Sequence, residues 1–191
     1  MRILDLTAEL SLDVVFRDTH VGTRIEAPAY VFSGGKGIDQ FGLDSFMGEA
    51  VLLDLRNKKA GEPIDDEDLE AAEERAGLAL REGETVILHT GWSSSLSDMS
   101  VPARHPYLSE NGAEFLEFKR PFMVGIDAPS LDPDGGKGYP AHSILMRAEI
   151  LVLEDLCNLE KIQQSRFRFM ALPLKIRGPT SHVRAVAILE G

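Results

Sequence analysis

The sequence predicts a single mixed α/β domain over residues 1–191, and three observations support this. Its 191 residues are 43% hydrophobic and 27% charged, which is typical of a soluble globular domain with a sizeable core. Short aliphatic runs alternate with amphipathic helical patterns along most of the chain. Two further β-rich runs follow each other near the C-terminus, so a mixed sheet with covering helices is expected.

The predicted strands are runs of four to ten residues that are rich in aliphatic and β-branched side chains. Such continuous apolar runs indicate strands covered on both faces. They lie at residues 50–55, 85–90, 122–126 and 150–153, followed by 167–176 and 183–189. Turn residues at 177–181 separate the last two, which predicts a hairpin or an adjacent pair.

The first predicted helix begins after Asp65, an N-cap residue with Asp68 at the reciprocal position of a capping box. Acidic residues in its first turn complement the positive end of the helix dipole. Apolar residues recur at helical spacing, and Gly83 is expected to end the helix. The apolar positions are Leu69, Ala72, Ala76 and Leu80.

Two more helices are predicted from their starting residues. Ser109 is expected to cap a helix that runs through Phe118. Pro140 is expected to open another that runs through Arg147, because proline is favoured in the first turn.

Charge and cysteine content limit the possible partners. With 20 Lys and Arg against 31 Asp and Glu, the formal net charge is −11, which disfavours a nucleic-acid partner. No apolar run approaches the roughly 20 residues of a membrane helix, and the N-terminus becomes polar too early for a signal peptide. A single cysteine, Cys157, is compatible with a reducing compartment. We therefore expect a cytoplasmic protein that acts on a small molecule.

Two regions pair a histidine with an acid. His20 and Glu26 flank a segment in which Gly22 permits a tight turn and Pro28 stiffens the chain. Farther along, Glu154 directly follows an aliphatic run, at the strand end where sites of α/β proteins form. Imidazole and carboxylate ligands suit Zn²⁺ or Mn²⁺, and His142 supplies the second imidazole.

The sequence Gly-Gly-Lys-Gly occurs twice, at residues 34–37 and 135–138, and neither copy has the spacing of a phosphate-binding loop. Two interpretations remain open. The segments are either flexible turns, or Lys36 and Lys137 flank one pocket and attract an anionic substrate.

Several spaced motifs occur in one order: HVGTRIEAPAY at 20–30, TGW at 90–92, GIDAPSLD at 125–132, PAH at 140–142, LEDL at 153–156, ALPL at 171–174 and VRAV at 183–186. On these motifs the chain resembles the cyclase family of metal-dependent hydrolases over nearly its whole length. The resemblance implies a swivelling β/β/α fold with a mixed sheet, assembly as a homodimer or homotetramer, and a hydrolytic site with one or two divalent metals.

The family's characteristic segment reads His-x-Gly-Thr-His-x-Asp-x-Pro-x-His and aligns with residues 20–30. By this resemblance, Arg24 occupies a further ligand position, and Tyr30 occupies the position of the histidine that acts as general acid or base. Glu26 stands where the family has aspartate, which extends the carboxylate by one methylene. The metal-ligand positions that keep a ligand-type residue are His20, Glu26, His142 and Glu154.

Arginine cannot bind a metal, because its guanidinium stays protonated at physiological pH. Its charge would repel a nearby cation by about 4 kcal/mol at 4 Å in a poorly screened pocket. The replacement therefore disfavours a two-metal site. Either Arg24 replaces one metal by pairing with Glu26 or Glu154 and leaves His142 and a carboxylate for the other, or an Arg–Glu network holds a metal-free pocket.

Tyrosine, with an ordinary pKa near 10, is a poor general base at neutral pH, but Tyr30 can donate a hydrogen bond to a carbonyl or an oxyanion. His89, next to the TGW motif, is a candidate for a displaced catalytic base. Trp92 is expected to line either the core or the substrate pocket, and His105 to line the mouth of that pocket.

Two aspartates of the GIDAPSLD motif, Asp127 and Asp132, are interpreted as turn caps, because each lies near a proline.

Two principal functional hypotheses follow. The first is a divergent arylformamidase-like hydrolase that cleaves a small amide or lactone, such as N-formylkynurenine, with water activated by one Zn or Mn ion. Arg24 would neutralise charge, and His20 would be a ligand or would orient one. The second is a non-catalytic ligand-binding or assembly protein on the same scaffold. Metal-free hydrolysis with Arg24 as oxyanion donor is a third possibility.

Overall fold

The computed structural model describes residues 1–11, 21–95, 104–135 and 138–190. Its strands are β1 (Arg2–Asp5), β2 (Arg24–Glu26), β3 (Met47–Asp54), β4 (Pro63–Ile64), β5 (Thr85–His89), β6 (Tyr107–Leu108), β7 (Met123–Ile126), β8 (Leu151–Glu154), β9 (Arg166–Pro173) and β10 (Thr180–Leu189). Its helices are α1 (Asp66–Ala76), α2 (Trp92–Ser95), α3 (Glu110–Lys119) and α4 (Pro140–Arg147).

Eight of the strands form one mixed sheet in the order β1-β10-β2-β8-β7-β5-β3-β9. The four central strands β3, β5, β7 and β8 are parallel, and the flanking pairs are antiparallel. Because β10 pairs with β2 on one edge and with β9 on the other, the sheet closes into a ring. The mixed sheet and the paired final strands predicted from the sequence are confirmed.

Alternation along the central strands divides the apolar residues between two cores. On β5, for example, Val86 and Leu88 face the helices, whereas Ile87 faces the inside of the ring. One core therefore lies within the closed sheet, and the other lies between the sheet and α1, α3 and α4. This gives the β/β/α layering implied by the family resemblance.

The predicted helix starts are confirmed, but one predicted end is wrong. Asp68 Oδ2 accepts a hydrogen bond from the Asp65 amide at 2.9 Å, and Ser109 Oγ accepts one from the Gly112 amide at 3.1 Å. Helix α1 ends at Ala76 instead of continuing to Gly83, because Gly77 adopts a left-handed conformation with a φ of 65°. Leu80 therefore lies beyond the helix, although it is buried.

Within the described ranges, none of the helices combines the length and the apolar character that crossing a membrane requires.

Helix α3 packs closely against the end of β4. A Cβ atom added to Gly112 would lie 2.4 Å from the carbonyl oxygen of Ile64 and 2.8 Å from a methyl group of Leu108. Because the first contact is with backbone, it cannot be relieved by a side-chain rotation. Gly112 is therefore required by packing, although glycine is a poor helix former.

We predict that Gly112→Ala destabilises the protein by about 1–3 kcal/mol, since the overpacking outweighs the better helix propensity of alanine. Urea unfolding followed by circular dichroism measures this change. Gly48→Ala on β3 is the control, because an added Cβ there meets nothing within 4 Å and no comparable loss is expected. Equal stability of the two variants would contradict the close packing of α3.

Candidate active site

Strands β2 and β8 place three charged side chains on one face of the sheet. Their antiparallel register sets Arg24 opposite Glu154 and Glu26 opposite Val152. Ile25 and Leu153 point into the closed sheet, so the residues that alternate with them point outward to the helical layer. Arg24, Glu26 and Glu154 are nevertheless almost completely buried, at 4%, 0% and 1% exposure.

Helix α4 supplies an imidazole to the same place. His142 lies in the first turn of the helix, which begins at Pro140 as predicted, and it is 1% exposed. Its Nε2 atom lies 3.2 Å from Oε2 of Glu26 and 3.2 Å from Oε1 of Glu154. Glu26 thus meets His142 and Glu154, which lie more than a hundred residues farther along the chain, at one point.

Arg24 occupies the other side of the two glutamates. Its Nε atom donates to Oε1 of Glu26 at 3.0 Å, and its Nη2 atom donates to Oε2 of Glu154. The guanidinium also donates to Oδ2 of Asp155 at 3.0 Å and to the carbonyl oxygen of Pro129 at 2.9 Å. Each glutamate therefore presents one oxygen to Arg24 and the other to His142.

The charges of the site shift the pKa values of its members. Burial opposes the protonated imidazole of His142, but the carboxylates of Asp132, Glu154 and Glu26 outweigh it, so the pKa of His142 is well above its usual value. Burial alone would raise the pKa of Glu26, yet His142 and Arg24 hold it below its usual range. The site thus favours the ionised form of Glu26, which lies between the imidazole and the guanidinium.

The residues fit a single divalent metal. Two ligand atoms held by Zn²⁺ at about 2.0–2.1 Å in a tetrahedron lie about 3.3 Å apart, close to the 3.2 Å from Nε2 to each carboxylate oxygen. Ligand atoms of Glu26, His142 and Glu154 lie within 4.8 Å of one another. Three buried carboxylates, including Asp132, also carry more negative charge than Arg24 neutralises.

Two tyrosines lie beside the triad of Glu26, His142 and Glu154. The ring of Tyr30 lies 5.8 Å from the ring of His142 and 6.0 Å from the ring of Tyr139. The rings of Tyr139 and His142 lie 5.9 Å apart, so the three rings contact one another. Burial, and then the nearby charge of Glu26, raises the pKa of Tyr30, so its hydroxyl stays protonated and can donate a hydrogen bond.

Other predicted site residues lie elsewhere. His89 is not placed with the triad: it is buried at the end of β5 and lines a separate cavity of about 250 Å³ with Asp54 and Arg56. Lys36 forms an ion pair with Glu149 at the surface and lies over the ring of Phe41. The roles expected of these residues, His89 as a displaced base and Lys36 as a residue that attracts an anionic substrate, therefore stay predictions.

Trp92 and His105 pack against each other, with ring centroids 6.1 Å apart. Trp92 belongs to the core between sheet and helices, and His105 is buried, with Nδ1 2.8 Å from the Pro106 carbonyl oxygen. His105 is thus inside the protein, not at an exposed mouth. His20 and Lys137 fall outside the described residues.

Sequence reasoning missed two acidic residues of the site. Asp132 contacts His142, and Asp155 pairs with Arg24 while accepting a hydrogen bond from the Gly22 amide at 3.0 Å. The available signal was their place inside the GIDAPSLD and LEDL motifs. The motifs alone assign no role to Asp155, and the nearby proline favours only a turn cap at Asp132.

Comparisons with known proteins show which family the chain is related to. The model of the Cyclase family, described as "Putative cyclase", matches residues 4–133. A kynurenine formamidase of Erythrobacter litoralis is 32% identical over 158 residues, which span 83% of this chain and 67% of that protein. One from Salinibacter ruber is 32% identical over 170 residues, or 88% of this chain and 75% of that protein.

Two solved structures have the same fold as this chain. "The Structure Of Potential Metal-Dependent Hydrolase With Cyclase Activity" superposes with a TM-score of 0.81 at 25% identity, covering 97% of this chain and 96% of the other. Isatin hydrolase A from Labrenzia aggregata, bound to benzyl benzoate, has the same fold, with a TM-score of 0.86 at 23% identity and coverage of 100% and 94%. The chain belongs to the cyclase family of metal-dependent hydrolases.

Proposed function

We propose that this chain is an arylformamidase-like hydrolase that cleaves a small amide or lactone at the site formed by Glu26, His142 and Glu154. The convergence of these three buried ligand-type residues carries the proposal. The bound ion would be a single Zn²⁺ or Mn²⁺, and the substrate an aryl formamide of the N-formylkynurenine type. The names of the similar kynurenine formamidases support this substrate class and, with it, a role in tryptophan breakdown.

Each residue has a distinct part in the proposed chemistry. A divalent metal at the triad supplies Lewis-acid polarisation of the carbonyl and a more acidic water. Arg24 binds one carboxylate oxygen of Glu26 and one of Glu154, so the other oxygen of each stays directed at Nε2 of His142, where the metal would bind. Tyr30 acts as a hydrogen-bond donor to the oxygen on which negative charge develops, because its raised pKa keeps the hydroxyl protonated.

The tyrosine pair supports an aryl substrate over an alkyl one. Tyr139 is 48% exposed, and its backbone adopts a left-handed φ of 47°, an unfavourable conformation for a large residue. This conformation holds its ring edge-on to Tyr30 and close to His142. A planar ring bound there would find two aromatic partners, and such pairs favour edge-to-face or offset packing.

The proposal extends to the protein's setting. We propose a cytoplasmic homodimer or homotetramer that acts on a small molecule and binds neither nucleic acid nor membrane. The resemblance to the family supports the oligomer, and the net charge of −11 disfavours nucleic acid.

We predict metal-dependent hydrolysis of an aryl formamide that is faster than hydrolysis of an alkyl formamide of similar size. Glu154→Ala should reduce kcat/KM by at least about 100-fold, since it removes a ligand and leaves Arg24 with one glutamate partner fewer. Product absorbance measures turnover, and elemental analysis of protein purified without chelator measures bound metal. Glu70→Ala, at an exposed position on α1, is the control and should retain activity.

A metal-free protein that binds ligands without turnover would contradict the hydrolase proposal. It would favour the second candidate, a non-catalytic ligand-binding protein. The observation that favours this alternative is that Arg24 and Tyr30 occupy positions where the family resemblance expects a ligand and a proton-transfer histidine.

Arg24 supports one metal instead of two. Its guanidinium touches three carboxylates, and the pKa of Arg24 is raised: burial opposes its charge, but Glu154, Glu26 and Asp155 outweigh burial. A permanent positive charge therefore stands where a second cation would have to bind. We propose that Arg24 replaces that ion and leaves the other for the triad.

We predict that Arg24→His raises the metal content from one to two ions per chain, because it removes the charge and introduces an imidazole ligand. Native mass spectrometry or elemental analysis after dialysis against a defined free-metal concentration gives the stoichiometry. Arg24→Lys retains the charge and should still bind one ion. Two ions in the unmodified protein, or one in Arg24→His, would show that Arg24 does not exclude the second metal.

A further inference from the structure

One short segment of the loop between β7 and α4 contacts three members of the site. The carbonyl oxygen of Pro129 accepts a hydrogen bond from Arg24 at 2.9 Å. The Leu131 amide donates to Oε1 of Glu154 at 2.8 Å, and the next residue, Asp132, contacts His142. Residues 129–132 therefore form a scaffold that touches the fixed cation, one carboxylate ligand and the imidazole ligand.

Asp132 makes the most contacts of this scaffold. Its Oδ1 atom accepts a hydrogen bond from the Ala141 amide at 2.8 Å. Its Oδ2 atom lies 2.5 Å from Nδ1 of His142 and also accepts from the His142 amide at 3.3 Å. With 3% of its surface exposed, this carboxylate binds both the imidazole and the first free amides of α4.

A carboxylate at Nδ1 determines which nitrogen of the ring is free to bind a metal. Because Asp132 accepts only, the proton shared with it resides on Nδ1, and the lone pair of the neutral ring is on Nε2. Nε2 is the atom that lies 3.2 Å from both glutamates. In metal sites, such outer carboxylates orient the ligand ring and raise its basicity, and their loss lowers metal affinity 10- to 100-fold.

We propose that Asp132 is a positioning residue that fixes the tautomer and the orientation of His142, so that Nε2 faces the metal. This inference rests on the metal site of the proposed function. It assigns to Asp132 a role that differs from capping α4, because the contact with Nδ1 lies outside the helix backbone.

Asp132→Asn separates the two roles. The amide has one oxygen, so it can accept from the Ala141 amide or from Nδ1 of His142, but it cannot replace both carboxylate contacts. If its oxygen caps α4, its NH₂ group faces Nδ1 and favours the tautomer with the proton on Nε2. We expect Zn²⁺ affinity to fall about 10- to 100-fold while the helix start is kept.

Competition with a chromogenic chelator measures the Zn²⁺ affinity of the full chain, and circular dichroism measures its fold. Asp127→Asn is the matched control. Asp127 is similarly buried in the same loop and accepts hydrogen bonds from Thr90 and Gly91. Its hydrogen bonds do not involve Arg24, Glu26, His142 or Glu154. Its substitution should therefore leave Zn²⁺ affinity unchanged.

Long-range ¹⁵N NMR of labelled histidine in the Zn²⁺-loaded, unmodified protein provides a second readout that does not depend on the variant's folding. We expect a protonated Nδ1 and a metal-bound Nε2 on His142. A metal-bound Nδ1, or unchanged affinity in a folded Asp132→Asn, would overturn the role of Asp132 and leave the metal site intact. An unmodified protein that binds no metal would overturn both this inference and the proposed function.

Discussion

The structure of the site depends on burying several carboxylates around one permanent cation. Glu26, Glu154 and Asp132 are each at most 3% exposed, and an isolated charge in such surroundings is very costly. The site meets this cost with the guanidinium of Arg24, with the imidazole of His142 and with backbone amides. Removing one partner from such a network leaves a buried charge uncompensated, so its members constrain each other.

A guanidinium in place of the second metal ion, as we propose, would also make the alignment of the glutamates independent of metal concentration. A divalent ion leaves when its concentration or the pH falls, whereas an arginine remains charged at any physiological pH. Arg24 therefore keeps Glu26 and Glu154 aligned whether or not the triad holds a metal. Its planar guanidinium also donates five directed hydrogen bonds, two of them to the carbonyl oxygens of Gly22 and Pro129, whereas a spherical ion has no such directional preference.

The elements that the sequence predicted well are those whose local pattern agrees with their burial. Strands such as β5 and β7 are apolar at nearly every position because the ring interior covers one face and the helices cover the other. Strand β2 was not predicted, because its three residues include a buried arginine and a buried glutamate. Propensity treats such residues as exposed, and only the pairing with β8 and β10 makes them a strand.

The same distinction applies to the site: some of its residues can be predicted from the sequence, and others are revealed only by the fold. Their residue types and the motifs around them nominate Glu26, His142 and Glu154, and the fold brings these three together. The position of Asp132 against the imidazole arises because the loop after β7 returns under the start of α4, which local spacing does not encode. His89 shows the converse, since a strand-end histidine beside a motif faces a different cavity.

Arg24 and Tyr30, which stand where the family resemblance expects histidines, both lie near the carboxylate of Glu26. Glu26 accepts a hydrogen bond from Arg24, and its negative charge contributes to the raised pKa of Tyr30. A histidine at position 30 would become more basic beside this carboxylate, whereas the tyrosine there becomes less acidic and stays a neutral donor. Because Arg24 already adds one positive charge, a neutral residue at position 30 adds no second one, and the carboxylate charge that Arg24 does not neutralise remains next to His142. The two replacements are therefore in keeping with the single cation position that we propose.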